Sequence, residues 1–142
     1  MARITIDLPE QFLFNTELDV RISDINYGQH LGNDAVLALL HEARVRFLAA
    51  HGLSEKDAGG CGMIMADAAV MYKSQGRYGQ RLRISIAISE PGAAGCDLLY
   101  QVCDAATGAE VARAKTGMVF FDYTRNKIAR MPEAFKALLT AR

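Results

Sequence analysis

Between residues 12 and 22 apolar and polar positions alternate. Phe12, Phe14, Leu18, Val20 and Ile22 fall on one face, and Asn15, Glu17, Asp19, Arg21 and Ser23 on the other. Period-two alternation predicts a half-buried strand. The period then changes. Val36, Leu40, Ala43, Phe47 and Ala50 recur at steps of three and four, and Leu37 and Leu48 widen the stripe. This predicts one long helix buried over much of its circumference. Asn33 is expected as its N-cap with Asp34 in the first turn, and Gly52 as the glycine that ends it. Residues 62–74 are apolar on both parities, as in a strand buried on both sides. Residues 81–89 alternate again, with Leu82, Ile84, Ile86 and Ile88 inward and Arg81, Arg83 and Ser85 outward. Strands over 97–104 and 109–122 follow, separated by glycine-bearing turns. Residues 127–130 extend the chain, and Pro132 is expected at the first position of a C-terminal helix.

One strand, one long helix and four strands on short links predict an α+β domain. The last four strands are expected as an antiparallel meander, because parallel neighbours need long crossovers. The helix must bury its stripe against one face of the sheet, giving a curved antiparallel sheet of about five strands wrapped around one long central helix. Open sheet edges with a single covering helix predict self-association.

Composition narrows the function classes. At 142 residues, with no internal repeat, the chain 1–142 reads as a single domain. It is 51% hydrophobic and 23% charged with a formal net charge of zero, so neither nucleic acid nor a membrane surface has an electrostatic drive. The N-terminal M-A-R-I-T-I-D-L-P lacks a signal-peptide core, and no run approaches the about 20 apolar residues of a membrane span. A cytoplasmic protein is expected. Cys61, Cys96 and Cys103 form an odd set without C-x-x-C spacing, which reads as reduced, mostly buried thiols; no metal site is expected.

The candidate chemistry gathers in the polar turn before the helix. Asp24 and Asn26, two apart on an expected strand end, would point to one side. His30 follows, and Glu42 lies on the helix. Carboxylate, amide and imidazole beside the free N–H groups of a helix start are the groups acyl transfer needs. Asp and Asn also cap and mimic turns without any catalytic role. Glu42 has Arg46 at i+4, an ordinary helix ion pair. His41 and His51 read as surface or capping groups. No nucleophile elbow, Walker loop or H-E-x-x-H is present.

D-I-N-Y-G-Q-H-L-G-N at 24–33, followed by H-E-A-R at 41–44, resembles the hotdog-fold thioesterases. The similarity is to the 4-hydroxybenzoyl-CoA thioesterase-like branch, whose members often read D-x-D-x-x-G-H-V-N-N and then E-x-A-R. Tyr72 with Gly79–Leu82, Ala112–Val119 and Asn126–Pro132 resemble later family strands in order, so the resemblance covers roughly residues 10–140. It implies hydrolysis of acyl thioesters of coenzyme A or of acyl-carrier protein, with no cofactor beyond the coenzyme A of the substrate. It also implies a homodimer, or a dimer of dimers, with sites between subunits.

Residue by residue, the resemblance places Asp24 on the family's first Asp, His30 on its histidine and Glu42 on its helix glutamate. The family's catalytic carboxylate, the second Asp, is here Asn26. Tyr27, Gly32 and Asn33 would contact substrate, and Lys73, Arg77 and Arg81 would meet the nucleotide phosphates. Three readings follow. Asp24, His30 or Glu42 supplies the base while Asn26 orients the thioester; or a partner subunit supplies it, with Asp67 a candidate; or the chain binds thioesters without hydrolysing them.

Overall fold

The protein is described here as a computed structural model covering residues 1–140. Its elements are β1 (Phe14–Asp19), a 3-10 turn (Ile22–Asp24), α1 (Asn33–Ala49), β2 (Gly62–Tyr72), β3 (Arg81–Ser89), β4 (Gly95–Asp104), β5 (Glu110–Asp122), β6 (Lys127–Ile128) and α2 (Glu133–Leu139). One six-stranded sheet runs β1-β3-β4-β5-β2, with the short β6 folded back on β5, and every pairing is antiparallel.

The long helix forms where the 3.6-residue stripe lies, and its buried side chains include Val36, Leu40, Ala43, Phe47 and Leu48. These share one core with Leu82, Ile84 and Ile86 of β3, Leu98 and Tyr100 of β4, and Ala112, Ala114 and Phe120 of β5. Each fully buried leucine- or phenylalanine-sized side chain contributes about 1.5–3 kcal/mol against the entropy of ordering the chain. The end of α1 is closed by Gly52 at φ +72°. Its N–H bonds Ala49 O at 3.0 Å and the Leu53 N–H bonds Leu48 O at 2.9 Å, the paired bonds of a glycine-terminated helix. The C-terminal α2 sets Phe135 edge-on against Phe120, with ring centroids 5.0 Å apart.

Several expectations are corrected. Strands β3, β4 and β5 form a meander, but β2 pairs with β5 and not with β3. The 73–80 link cannot act as a hairpin because it is tied to other segments. Leu31 N–H bonds Gly76 O at 2.9 Å, and Gly79 N–H and Gln80 O bond Val20 O and N–H. The link thereby carries the chain from β2 to the side of β1.

Nor is β2 buried on both sides. It is the edge of the sheet, so of residues 62–72 only Gly62 and Met63 are buried, while Met65 through Ala68 and Tyr72 are exposed. Ile22 is not on the inner face; it sits in the 3-10 turn, 69% exposed. Leu37 and Ala50 are exposed, so the buried stripe of α1 is narrower than expected. Gly32, not Asn33, is the N-cap of α1, and Pro132 is the N-cap of α2 and not its first helical residue. Of the free thiols Cys96 is buried, and Cys61 and Cys103 are half-buried.

Candidate active site

The segment from Asp24 to Gly32 closes on itself before entering α1. Ile25 and Leu31 form a single antiparallel bridge, Gly32 N–H bonds Asp24 O at 2.9 Å, and Asn26 N–H bonds His30 O at 2.9 Å. The loop turns through Gln29 at φ +67°, a left-handed backbone for a non-glycine residue. The Asn26 side chain holds the turn from inside: its Oδ1 accepts the N–H of Gly28 at 3.0 Å and of His30 at 3.3 Å. This is local turn chemistry of the Asx kind. It leaves the Asn26 amide nitrogen, a donor, as the remaining polar end.

A cleft of about 410 Å³ opens beside this loop and the helix start. Ser23, Asp24, Ile25, Asn26, Tyr27, Gln29, Gly32, Asp34 and Ala35 line it. Ala35 and Val36 N–H both bond Gly32 O, at 3.1 and 3.3 Å. Among the described residues the N–H groups of Asn33 and Asp34 have no acceptor, as expected for the first turn of a helix, and the positive end of the helix dipole lies there.

Asp24 and Asn26 do not project together from a strand end. Asp24 ends the 3-10 turn, is buried, and faces back to Arg21. Its Oδ2 accepts the Arg21 backbone N–H at 2.8 Å and Nε at 3.4 Å, and its Oδ1 accepts Nη2 at 3.3 Å. It is the anchor of the loop. His30 belongs to the same loop, but its side chain is not among the walls of the cleft. Tyr27 lines the cleft and is fully exposed, and Gly32 forms part of its floor.

Glu42 is apart from this group. Its carboxylate accepts Arg46 Nε at 2.9 Å, and Arg46 goes on to Thr16 Oγ1 and Glu17 O. Both line a second cleft between β1 and α1. Arg81 points into that second cleft too, paired to Glu17 and Asp19 at 2.9 Å each. Lys73 and Arg77 sit on the link that is hydrogen-bonded to Leu31, near the helix start. Among the described residues neither side chain has an ion-pair partner. Asp67, placed by a bulge in β2, accepts Lys115 Nζ at 2.7 Å and Gly117 N–H at 3.0 Å, and these hold its carboxyl below the usual range.

Asp34 lines the cleft and lies outside the sequence-based site set, where spacing marks it only as a first-turn acid. Near the helix start, though not among the cleft walls, Tyr72 reaches from β2 and donates to Asn33 O at 3.3 Å; burial and the nearby Asp34 charge push its phenol up. Among the described residues no group of three or more His, Cys, Asp or Glu is arranged to hold a metal ion, and no helix is long and apolar enough to cross a membrane.

The model of the thioesterase-like superfamily matches residues 20–139, so this chain belongs to that superfamily. A comparison with curated proteins gave no significant match. Among solved structures, the chain resembles a 1,4-dihydroxy-2-naphthoyl-CoA thioesterase from Synechocystis with TM-score 0.81 at 22% identity, over 89% of this chain and 94% of that one. It resembles a Staphylococcus aureus protein solved in complex with CoA with TM-score 0.80 at 15% identity, over 95% and 85% of the two chains. A thioesterase-superfamily protein from Jannaschia gives TM-score 0.82 at 15% identity, over 92% and 83%. The fold is the hotdog fold.

Proposed function

We propose that this protein hydrolyses acyl-CoA thioesters to the free acid and coenzyme A. The observation that carries the reading is the cleft at the start of α1. There the unpaired N–H groups of Asn33 and Asp34 mark the helix start beside a cleft that Asn26 and Asp34 line, in a chain of the thioesterase-like superfamily. Donors at that place stabilise the oxyanion that forms when water adds to the thioester carbonyl. The thiolate then leaves with little assistance. Tyr27, Gly32 and Asn33 would contact the acyl thioester, and Lys73 and Arg77 the nucleotide phosphates. Arg81 contributes less, being spent on Glu17 and Asp19. The solved relative with bound CoA supports coenzyme A as the carrier, with acyl-carrier protein a further candidate. A cytoplasmic homodimer is part of this reading, supported by the open apolar edge of β2; two such dimers would pair for a tetramer.

A second reading, thioester binding without hydrolysis, is favoured by one observation. The residue at the family's catalytic carboxylate position is an amide whose oxygen is already consumed by the loop. The test is free-thiol release from a panel of short, long and aromatic acyl-CoAs, with Asn26→Asp and Asp24→Asn alongside the parent. Turnover by the parent is expected. A silent parent that binds acyl-CoA and gains turnover as Asn26→Asp would establish the binding reading instead.

A further inference from the structure

We infer that Asp34 is the catalytic carboxylate of this site, taking the proton from the water that attacks the thioester carbonyl. The inference rests on the hydrolase reading above and names the base it needs.

The other acids near the cleft are committed elsewhere. Asp24 is buried and accepts three donors of Arg21. Glu42 is paired with Arg46 and lines a different cleft. Residue 26 offers a donor and no basic oxygen. Asp34 is exposed, lines the same cleft as Asn26, and among the described residues has no hydrogen-bond or ion-pair partner.

Its position depends on a missing side chain. A Cβ at Gly32 would lie 2.7 Å from Asp34 Oδ1 and 3.8 Å from Asn26 Cβ. Glycine at the helix N-cap therefore leaves open the space between the Asp34 carboxylate and the Asn26 side chain. Burial and, after it, the nearby Asp34 charge push the Tyr72 hydroxyl up from its ordinary value.

The step balances as follows. Asp34 takes one proton from water as the water oxygen bonds to the carbonyl carbon. The carbonyl electron pair moves to oxygen, facing the Asn26 amide and the Asn33 N–H. Re-formation of the carbonyl expels sulfur with the C–S pair, and the thiolate recovers the proton from Asp34. The products are one carboxylic acid and one thiol. Asp34 thus supplies the carboxylate that residue 26 does not, while Asn26 supplies a hydrogen-bond donor in the same cleft.

The experiment is steady-state kinetics on the acyl-CoA panel with Asp34→Asn, Asp34→Glu and the double variant Asn26→Asp/Asp34→Asn, each checked by thermal melting. In Asp34→Asn, kcat is expected to fall at least 100-fold with KM within about threefold. Partial activity is expected in Asp34→Glu, and recovery of at least tenfold over Asp34→Asn in the double variant. An active parent whose Asp34→Asn variant keeps kcat within threefold overturns the assignment and leaves the hydrolase reading standing. So does a folded double variant no faster than Asp34→Asn. A parent inert on the whole panel sinks the hydrolase reading and the assignment with it.

Discussion

Arg44, buried on the sheet side of α1, donates from Nη1 to the Tyr100 hydroxyl at 3.0 Å across the helix–sheet interface. The Tyr100 oxygen lies 2.7 Å from Thr116 Oγ1, and Arg44 Nε reaches Glu55 at 3.3 Å. Glu55 is also 2.7 Å from His41. The chain of contacts ties α1 to β4, β5 and the segment before β2. A buried charge is tolerated only when such partners are complete. Tyr100→Phe, which removes one acceptor and keeps the ring, is expected to cost about 1–3 kcal/mol of folding stability. Arg44→Ala is expected to cost roughly 3–5 kcal/mol by leaving the partners unpaired and a gap in the core. Urea unfolding midpoints check both, and a Tyr100→Phe protein as stable as the parent would remove the network from the account.

Lys73 and Arg77 sit on the link that Gly76 ties to Leu31, while Arg81 is bound to Glu17 and Asp19. Charge reversal at Lys73 or Arg77 is expected to raise KM for acyl-CoA about 5- to 30-fold with kcat little changed, the signature of lost binding shared by substrate and transition state. Arg81→Ala is expected to leave KM within about twofold. The three variants assayed against one acyl-CoA separate these outcomes.

The open edge of β2 bears on assembly. Ala66 and Ala68 are exposed there together with Met65. A second copy laid on this edge would satisfy the unpaired backbone groups and cover the side chains. Ala68→Lys is expected to weaken self-association at least tenfold in sedimentation velocity, while the circular dichroism spectrum stays that of the parent.

Gly95, at the start of β4, lies against the backbone of Met118 so closely that a Cβ would collide with the Met118 carbonyl. Neither strand can yield without breaking its register. Gly95→Ala is expected to destabilise the fold by roughly 1–3 kcal/mol, read as a lower denaturant midpoint.

Acid should unfold the protein through particular carboxylates. Glu17 is held below the ordinary Glu value by Arg81, Asp67 below the ordinary Asp value by Lys115, and Asp104 by the Gln80 amide and backbone N–H groups. Such a group binds fewer protons folded than unfolded while pH lies between its two pKa values, so stability rises with pH there. Its contribution is complete above the ordinary values of 4.5 for Glu and 3.8 for Asp, and is lost as pH falls through the lower folded values. The urea midpoint is expected to change little from pH 7 to about 5 and to drop below about 4. A Lys115→Met variant should lose less on acidification, since its Asp67 no longer has the ammonium to lose.

Much of this protein was legible in its residues. The switch from period two to period 3.6 placed β1 and α1, Gly52 marked the helix end, and Leu82, Ile84 and Ile86 pointed inward as written. The ordered motifs from Asp24 to Pro132 led to the superfamily that the match over residues 20–139 establishes. These are local properties, set by side-chain spacing along one segment. What depended on contacts between distant segments was not legible. The pairing of β2 with β5 follows from where residues 73–80 are tied down, and the exposure of β2 from its place at the sheet edge. The roles within the loop were likewise decided in three dimensions. Asp24 and Asn26 look equivalent in sequence, yet one is spent on Arg21 and the other on the Gly28 and His30 amides. Glu42 faces away to Arg46, and Asp34, an ordinary first-turn acid by spacing, shares the cleft with Asn26 because Gly32 carries no side chain to keep them apart.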